Sequence, residues 1–390
     1  MSRYSGLWAG LKTVADTVES TASITASSDR PTIVTPNDFA LPPGGLSVRW
    51  PEDRWSQNER LLKYRLPAVR SFARANGLDR AVFAGQPNPR LVIVASGKAY
   101  GDVRQALDEL GISEQLAREL GVMVFKVGLV WPLEPDRIRA AIEGARDVLV
   151  VEERRSVIEP QLKELAYHWP ADQRPSIVGK TDERGEILCP EVGELSAKIV
   201  AAAIGRRLER LGAPLPPPIA ERLQWLNGDQ SRITLPAAGL SVARLPHFCP
   251  GCPHARSTRL PEGSVAMAGI GCHSLRVWMP DSQTLFIPQM GGEGASWIGI
   301  APFVETGHVF QNMGDGTYVH SGSLAVRAAV AAGTRMTFRI LYNEATAMTG
   351  GQPVEGGLSV AQIAQQLAME GVKRIAVVSD DPGKYPSAKA

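Results

Sequence analysis

Two thiols three residues apart, in Cys249-Pro250-Gly251-Cys252, sit on a turn that Pro and Gly make tight, so both sulfurs can reach one metal centre. Cys272 follows in Gly269-Ile270-Gly271-Cys272-His273, and the three cysteines belong together. An iron–sulfur cube wants four cysteines. Zinc wants a fourth ligand, for which His254 or His273 would serve. A thioredoxin-like redox pair is the third reading, although such a pair opens a helix in a different strand context, and thiols that merely pack are the fourth. A second constellation offers hard oxygen. Asp315, in Gly314-Asp315-Gly316, supplies a carboxylate, Asn343 a side-chain carbonyl and Ala345 a backbone carbonyl. With diphosphate oxygens these complete an octahedron around Mg²⁺. A lone Gly-Asp-Gly is a common turn; the spaced Asn after the next apolar run makes the pair specific.

Other candidates flank these. Gly291-Gly292-Glu293-Gly294 lets a backbone approach a ligand closely. Glu293 is a candidate acid, base or ligand-orienting group, or simply a helix amino-terminal charge. Met348 and Thr349 precede Gly350-Gly351-Gln352, just after the Asn343 segment. Ser96-Gly97-Lys98 follows an apolar run but lacks the full phosphate-loop pattern, so a strand-to-helix turn is expected. Glu152-Glu153-Arg154-Arg155 reads as a solvated helix start, and Cys189 as a buried or neutral thiol.

These residues need elements to position them. Leu91–Ala95, Val122–Val127 and Asp147–Glu152 are apolar strands alternating with helices over Tyr100–Leu110 and Pro135–Ile142. That pattern implies a parallel sheet covered on both faces. From Ser264 a second alternation begins: strands at Ser264–Ile270, Leu285–Gln289, Val309–Met313, Met336–Tyr342 and Arg374–Ser379, with helices at Ala295–Val304, Ser321–Ala332 and Leu358–Glu370. Its glycine clusters fall at strand ends, where ligands of open α/β sheets collect. Between the two, Glu191–Leu211 is one strong helix whose Arg206, Arg207 and Arg210 suit the negative end of the dipole. Earlier in the chain, Leu7, Leu11, Val14 and Val18 share a helical spacing, and Gln57–Asn76 reads as a helix.

The fold class is therefore α/β, with two doubly wound sheets. The domain reading is an N-terminal segment at 1–89, an α/β domain at 90–167, a partly helical connector at 168–246 and a second α/β domain at 247–390. Of the 390 residues, 42 are Lys or Arg and 40 are Asp or Glu, so no global field points to nucleic acid. No apolar run approaches the ~18 residues that cross a bilayer, and the first residues lack a signal peptide's apolar stretch. A cytoplasmic protein without a membrane partner is expected, and four cysteines are too few for a disulfide framework.

The segments Cys249–Cys252, Gly269–Cys272, Gly314–Gly316 and Asn343, with Ala347–Gln352, resemble the thiamine-diphosphate domain of 2-oxoacid:ferredoxin oxidoreductases. The resemblance is to the large fused bacterial indolepyruvate ferredoxin oxidoreductases. It covers 247–390, and residues 90–165 are similar to a transketolase carboxyl-terminal domain. The resemblance implies Mg²⁺ and diphosphate on Asp315, Asn343 and Ala345, with Gly291, Gly292, Glu293, Gly314, Gly316, Met348 and Thr349 around the cofactor. It implies a [4Fe–4S] cluster on Cys249, Cys252 and Cys272. The implied reaction is oxidative decarboxylation of a 2-oxo acid, with electrons passing to ferredoxin and the acyl group to coenzyme A. The family's fourth cluster cysteine has no candidate after Cys272, and no pyrimidine-binding domain precedes Met1. An internal portion of a larger enzyme is therefore expected, dependent on remaining domains or subunits and homo-oligomeric when complete. A partner-dependent cofactor-binding subunit and a zinc-stabilised α/β module without redox chemistry are the alternatives.

Overall fold

The computed structural model describes residues 1–14, 18, 21–26, 32–83, 88–228 and 246–385. It divides into two compact units, Met1–Ala238 and Gly239–Ala390.

The first unit is built on a five-stranded sheet of β1 (Arg80–Phe83), β2 (Leu91–Ser96), β3 (Val122–Val127), β4 (Asp147–Val151) and β5 (Ser176–Val178), in the order β1-β3-β2-β4-β5. Only β1 runs antiparallel to its neighbour. Central β2 is apolar throughout because both its faces are covered. Leu91, Ile93 and Ala95 enter one core with α1 (Gly97–Glu109), while Val92 and Val94 enter the other with α2 (Pro135–Ile142) and α3 (Ile158–Ala166). This sheet is doubly wound, as expected.

Three details of the first unit differ from expectation. The helix read as Glu191–Leu211 is α4, Ala197–Arg210, because the Ser196 hydroxyl accepts from Ile199 N–H and so starts it. Residues 168–228 do not stand apart as a connector: β5 pairs with β4, and Leu188, Cys189, Leu195, Val200, Ile204 and Leu208 are buried in the same core as α1. Arg207 does not serve the helix dipole in solvent. It is fully buried, donating from Nε to Asp147 Oδ2 at 2.7 Å and from both terminal nitrogens to Glu183 at 2.8 and 2.9 Å. Burial raises the Asp147 carboxyl, whereas the less enclosed Glu183 is held low by Arg207. Residues 57–76 are helical as read, with a π turn at Leu61–Arg65. Residues 7–14 are not helical, and Leu11 stands exposed; 15–17 lie outside the described residues.

The second unit holds a three-stranded parallel sheet, β6 (Ala266–Met267), β7 (Val309–Gly314) and β8 (Met336–Leu341), in that order. Val309 and Met313 face α5 (Ala295–Ile300), α6 (Ser323–Ala331) and α7 (Val360–Met369) through Trp297, Val326 and Ile363. The opposite face is lined by Phe310, Asn312, Thr337 and Arg339 and, among the described residues, carries no helix of that length; the segment 254–259 lies against it, Arg339 donating to the carbonyls of Ser257 and Arg259. Thr337 and Arg339, which alternate with apolar residues along β8, make this face more polar than the one the helices cover. The strand expected at Leu285–Gln289 is displaced: residues 283–286 run beside β6 through three backbone hydrogen bonds, and Leu285 is 69% exposed. Arg374–Ser379 forms no strand, with Val378 95% exposed. A short hairpin, β9 (Ala345–Thr346) with β10 (Gln352–Pro353), completes the unit. Among the described residues no helix is long and apolar enough to cross a membrane.

Candidate functional site

Asp315 begins the turn after β7, and its side chain, 4% exposed, ties that turn to the one after β8. Oδ1 accepts from Gly316 N–H at 2.9 Å. Oδ2 accepts from Asn343 N–H at 3.0 Å and Glu344 N–H at 2.7 Å, in the turn after β8. The Asn343 side-chain oxygen accepts from Ala345 N–H at 3.0 Å, which shapes that turn. Adjacent parallel strands in register bring these loops together: Gly314 pairs with Leu341, so the next residues of both strands leave the sheet side by side. Met348 and Thr349 lie in the hairpin between β9 and β10, and Thr346 and Val354 of that hairpin approach Gly316. Thr349 Oγ1 bonds Gln352 at 3.0 Å, while Met348 is largely exposed. One carboxylate, one amide oxygen and one carbonyl within a single pair of turns suit a hard cation and diphosphate. The residues present fit Mg²⁺ and thiamine diphosphate by the chemistry of that donor set.

Glu293 is neither a solvent-facing acid nor a helix-end charge. Fully buried, it accepts from Gly291 N–H at 2.7 Å and from Ile270 N–H at 3.3 Å, fastening two glycine loops to each other. Gly269 has to be glycine here. A Cβ on it would stand 2.7 Å from Glu293 Cγ, 2.8 Å from Asn312 O and 2.9 Å from His273 Nε2. A side chain at Gly291, whose φ is +88°, would run into the Ser321 hydroxyl.

His273 lies at the centre of these loops, 3% exposed, with its Nε2 unpartnered. Burial, helped by the nearby His254, pulls its pKa down to about 4, so the ring is neutral. His254 is itself lowered by burial, partly offset by the charge of Asp315. Asn312 on β7 is fully buried with neither side-chain polar atom bonded, and the Tyr318 hydroxyl is likewise unpartnered. From sequence His273 stood only as a zinc ligand, and Asn312, Thr317 and Arg339 were missed. The glycines on either side of Ile270 were the signal that a bulky ring packs there.

The structure places the three cysteines near one another. Cys252 N–H donates to Cys249 O at 3.0 Å, confirming the tight turn, and Cys249 is exposed. Cys272, at the start of a 3₁₀ turn, is raised by burial and then by the neighbouring Cys252 and Cys249. The three are neighbours, yet among the described residues no three His, Cys, Asp or Glu side chains gather as a metal site.

In the first unit, Ser96-Gly97-Lys98 is a strand-to-helix turn, as expected. Lys98 Nζ is held by Asp102 at 2.9 Å, Glu153 at 3.0 Å and Glu194 at 3.2 Å, and it donates to Leu195 O at 2.6 Å. Glu152 is not solvated: its buried carboxylate accepts from the N–H groups of Val157, Ile158 and Glu159 and so occupies the start of α3. Cys189 is fully buried, and that burial pushes its thiol up to about 12.

Comparison with known proteins adds a lineage. Residues 79–231 match the indolepyruvate ferredoxin oxidoreductase middle domain. An indolepyruvate oxidoreductase subunit IorA from Methanothermobacter marburgensis is 30% identical over 277 residues, 68% of this chain and 39% of that protein. The subunit of the same name from Methanothermobacter thermautotrophicus is 29% identical over 308 residues, 76% of this chain and 44% of that protein. The chain thus spans about two fifths of the length of the curated relatives it matches. A solved 2-oxoglutarate:ferredoxin oxidoreductase from Magnetococcus marinus aligns at 15% identity over 44% of this chain and 26% of that one, with a TM-score of 0.28, a likeness too slight to bear on the fold.

Proposed function

The chain is a relative of the indolepyruvate ferredoxin oxidoreductases and carries that family's middle domain at residues 79–231; from this premise we propose that it is the thiamine-diphosphate-binding portion of a 2-oxoacid:ferredoxin oxidoreductase of the indolepyruvate type. In this reading, residues 247–390 are the cofactor domain and 90–167 a transketolase carboxyl-terminal-like domain. The observation that carries the proposal is the clasp of Asp315 on the Asn343–Ala345 turn.

Thiamine diphosphate, when bound, supplies the electron sink for loss of CO₂ from a 2-oxo acid. The chain's own residues hold and orient. Asp315, Asn343 and the Ala345 carbonyl offer oxygen to Mg²⁺, whose charge offsets that of the diphosphate. Glu293 keeps the loops at 270 and 291 fixed to each other, and Gly269, Gly291, Gly292 and Gly294 leave room for Glu293 and His273, Ser321, Gln289 and Phe338 to pack against those loops. Gly314 and Gly316 flank the Asp315 clasp, and Met348 and Thr349 sit on the adjoining hairpin. Cys249, Cys252 and Cys272 are cluster ligands only within this proposal for the whole protein, and they carry no step on their own. Indolepyruvate as substrate, ferredoxin as electron acceptor and coenzyme A as acyl acceptor belong to the same proposal, as do partner domains or subunits.

Calorimetric titration of the full chain with thiamine diphosphate tests it. Binding in Mg²⁺ that disappears in excess EDTA is the expected result. Binding indifferent to EDTA, or no binding in Mg²⁺, contradicts the proposal.

A further inference from the structure

The second unit has another opening, at the end where its parallel strands begin. Residues 259–265 lead into β6 there, and residues 276–283 return beside it, with Ala266 N–H donating to Gln283 O at 3.0 Å. Between the two runs lies a cavity of about 510 Å³, a size that suits a small molecule. Asp315 and Asn343 follow the opposite ends of β7 and β8, so this cavity is no part of the Asp315 site. Its wall combines the apolar Leu260, Pro261 and Val265 with two guanidinium groups, those of Arg259 and Arg276.

Arg276 is only 7% exposed, and a buried cation needs compensation. Its Nη2 donates to Asp281 Oδ2 at 2.8 Å; among the described residues, Nε and Nη1 make no hydrogen bond. Asp281, whose side chain is 67% exposed, reaches in from a surface turn. The Arg276 hydrogen bond, with the charges of Arg276 and Arg259, holds its carboxyl below the usual carboxylate range. A carboxylate therefore already sits on Arg276, but on one prong of a fork that matches a carboxylate two bonds at a time. An ion pair with an exposed partner is weak, so Asp281 is displaceable. Glu262 also lines the cavity, and its charge disfavours a doubly charged anion.

We infer that this cavity binds a small organic monocarboxylate with an apolar body. The ligand's carboxylate takes the Arg276 fork in place of Asp281, and its body lies against Leu260, Pro261 and Val265. The inference does not rest on the diphosphate seat.

The test is calorimetric titration of the full chain, in EDTA, with phenylacetate, its neutral counterpart phenylacetamide and inorganic phosphate. Wild type, Asp281→Asn, Arg276→Met and Asp315→Ala are compared, with thermal unfolding of each. Phenylacetate should bind the wild type, about tenfold more tightly to Asp281→Asn and at least about tenfold more weakly to Arg276→Met. Phenylacetamide and phosphate should bind the wild type at least about tenfold more weakly than phenylacetate, and Asp315→Ala should bind phenylacetate as the wild type does. No phenylacetate binding by wild type and Asp281→Asn overturns the inference, as does equal binding by wild type and Arg276→Met. Unchanged affinity in Asp281→Asn overturns the exchange of carboxylates, and phosphate or phenylacetamide binding as tightly as phenylacetate overturns the ligand class. Loss of phenylacetate binding in Asp315→Ala would put the carboxylate at the other end of the sheet and overturn the inference too. Should Arg276→Met not fold, the Arg276 Nε–H resonance of the wild type decides. A shift with phenylacetate and none with phenylacetamide is expected, and an unmoved resonance overturns the inference.

Discussion

The carboxyl ends of the two sheets are finished in opposite ways. In the first unit, β2 feeds β3 on one side while β4 lies on the other, which makes the crevice between β2 and β4 the switch point where such sheets bind ligands. The chain fills it with its own groups: Lys98 is held by three carboxylates and a carbonyl, and Glu152 takes the amides at the start of α3. In the second unit the strand ends carry glycine loops, a solvent-facing Asn343 and unpartnered atoms on His273, Asn312 and Tyr318. Unpartnered buried atoms are not confined to this unit, Asp79 Oδ2 and Asp147 Oδ1 being examples in the first, so the contrast rests on the glycine loops and the exposed Asn343. The difference teaches that the first sheet is finished as a scaffold, whereas the second is finished as a seat.

That contrast can be broken at several points. Arg207→Met in the first unit should cost about 3–5 kcal/mol, because it leaves Asp147 as an uncompensated buried charge; urea unfolding followed through the first unit's signal measures it, and a loss under about 1 kcal/mol would show the network to be dispensable. Glu293→Ala in the second unit should cost roughly 1–3 kcal/mol by orphaning the Ile270 and Gly291 amides. Hydrogen exchange should quicken at those two positions, and unchanged protection would refute the clasp.

A smaller effect separates the thiols. Cys189 has a folded pKa of about 12 against an ordinary 9.0, so the folded state holds its proton where the unfolded state has lost it. Stability should fall as pH rises through that window, by roughly 1 kcal/mol at pH 10, and Cys189→Ala should flatten the fall. In the native protein iodoacetamide should label Cys249, which is exposed, and spare Cys189, a pattern mass spectrometry reads directly. Labelling of Cys189 at the same rate would contradict its burial.

How much of this was legible in the sequence follows from how local each cause is. Strands β2, β3 and β4 were readable because a strand buried on both faces is apolar at nearly every position, Ser96, Lys126 and Asp147 being the exceptions here, and α2 was readable from its spacing. The one-sided winding of the second sheet was not, although Thr337 and Arg339 alternating with the apolar Met336, Phe338 and Ile340 carried the signal. Arg207 looked like a helix-end cation because its partner Asp147 lies 60 residues away. Asp315 and Asn343 were found from motif spacing and are brought together, and Cys249, Cys252 and Cys272, grouped by the same kind of spacing, are neighbours. Glu293 was found as a residue but not as a clasp, since both groups it accepts from are backbone amides, which sequence does not mark.

The central claim, that the turns at Asp315 and Asn343 seat a diphosphate through Mg²⁺, is met most directly by calorimetry of thiamine diphosphate with Mg²⁺ on the wild-type chain and on Asp315→Ala. Measurable binding by the wild type and its loss in the variant, with the first unit's unfolding unchanged, is the predicted result. Equal binding by the two proteins would contradict it.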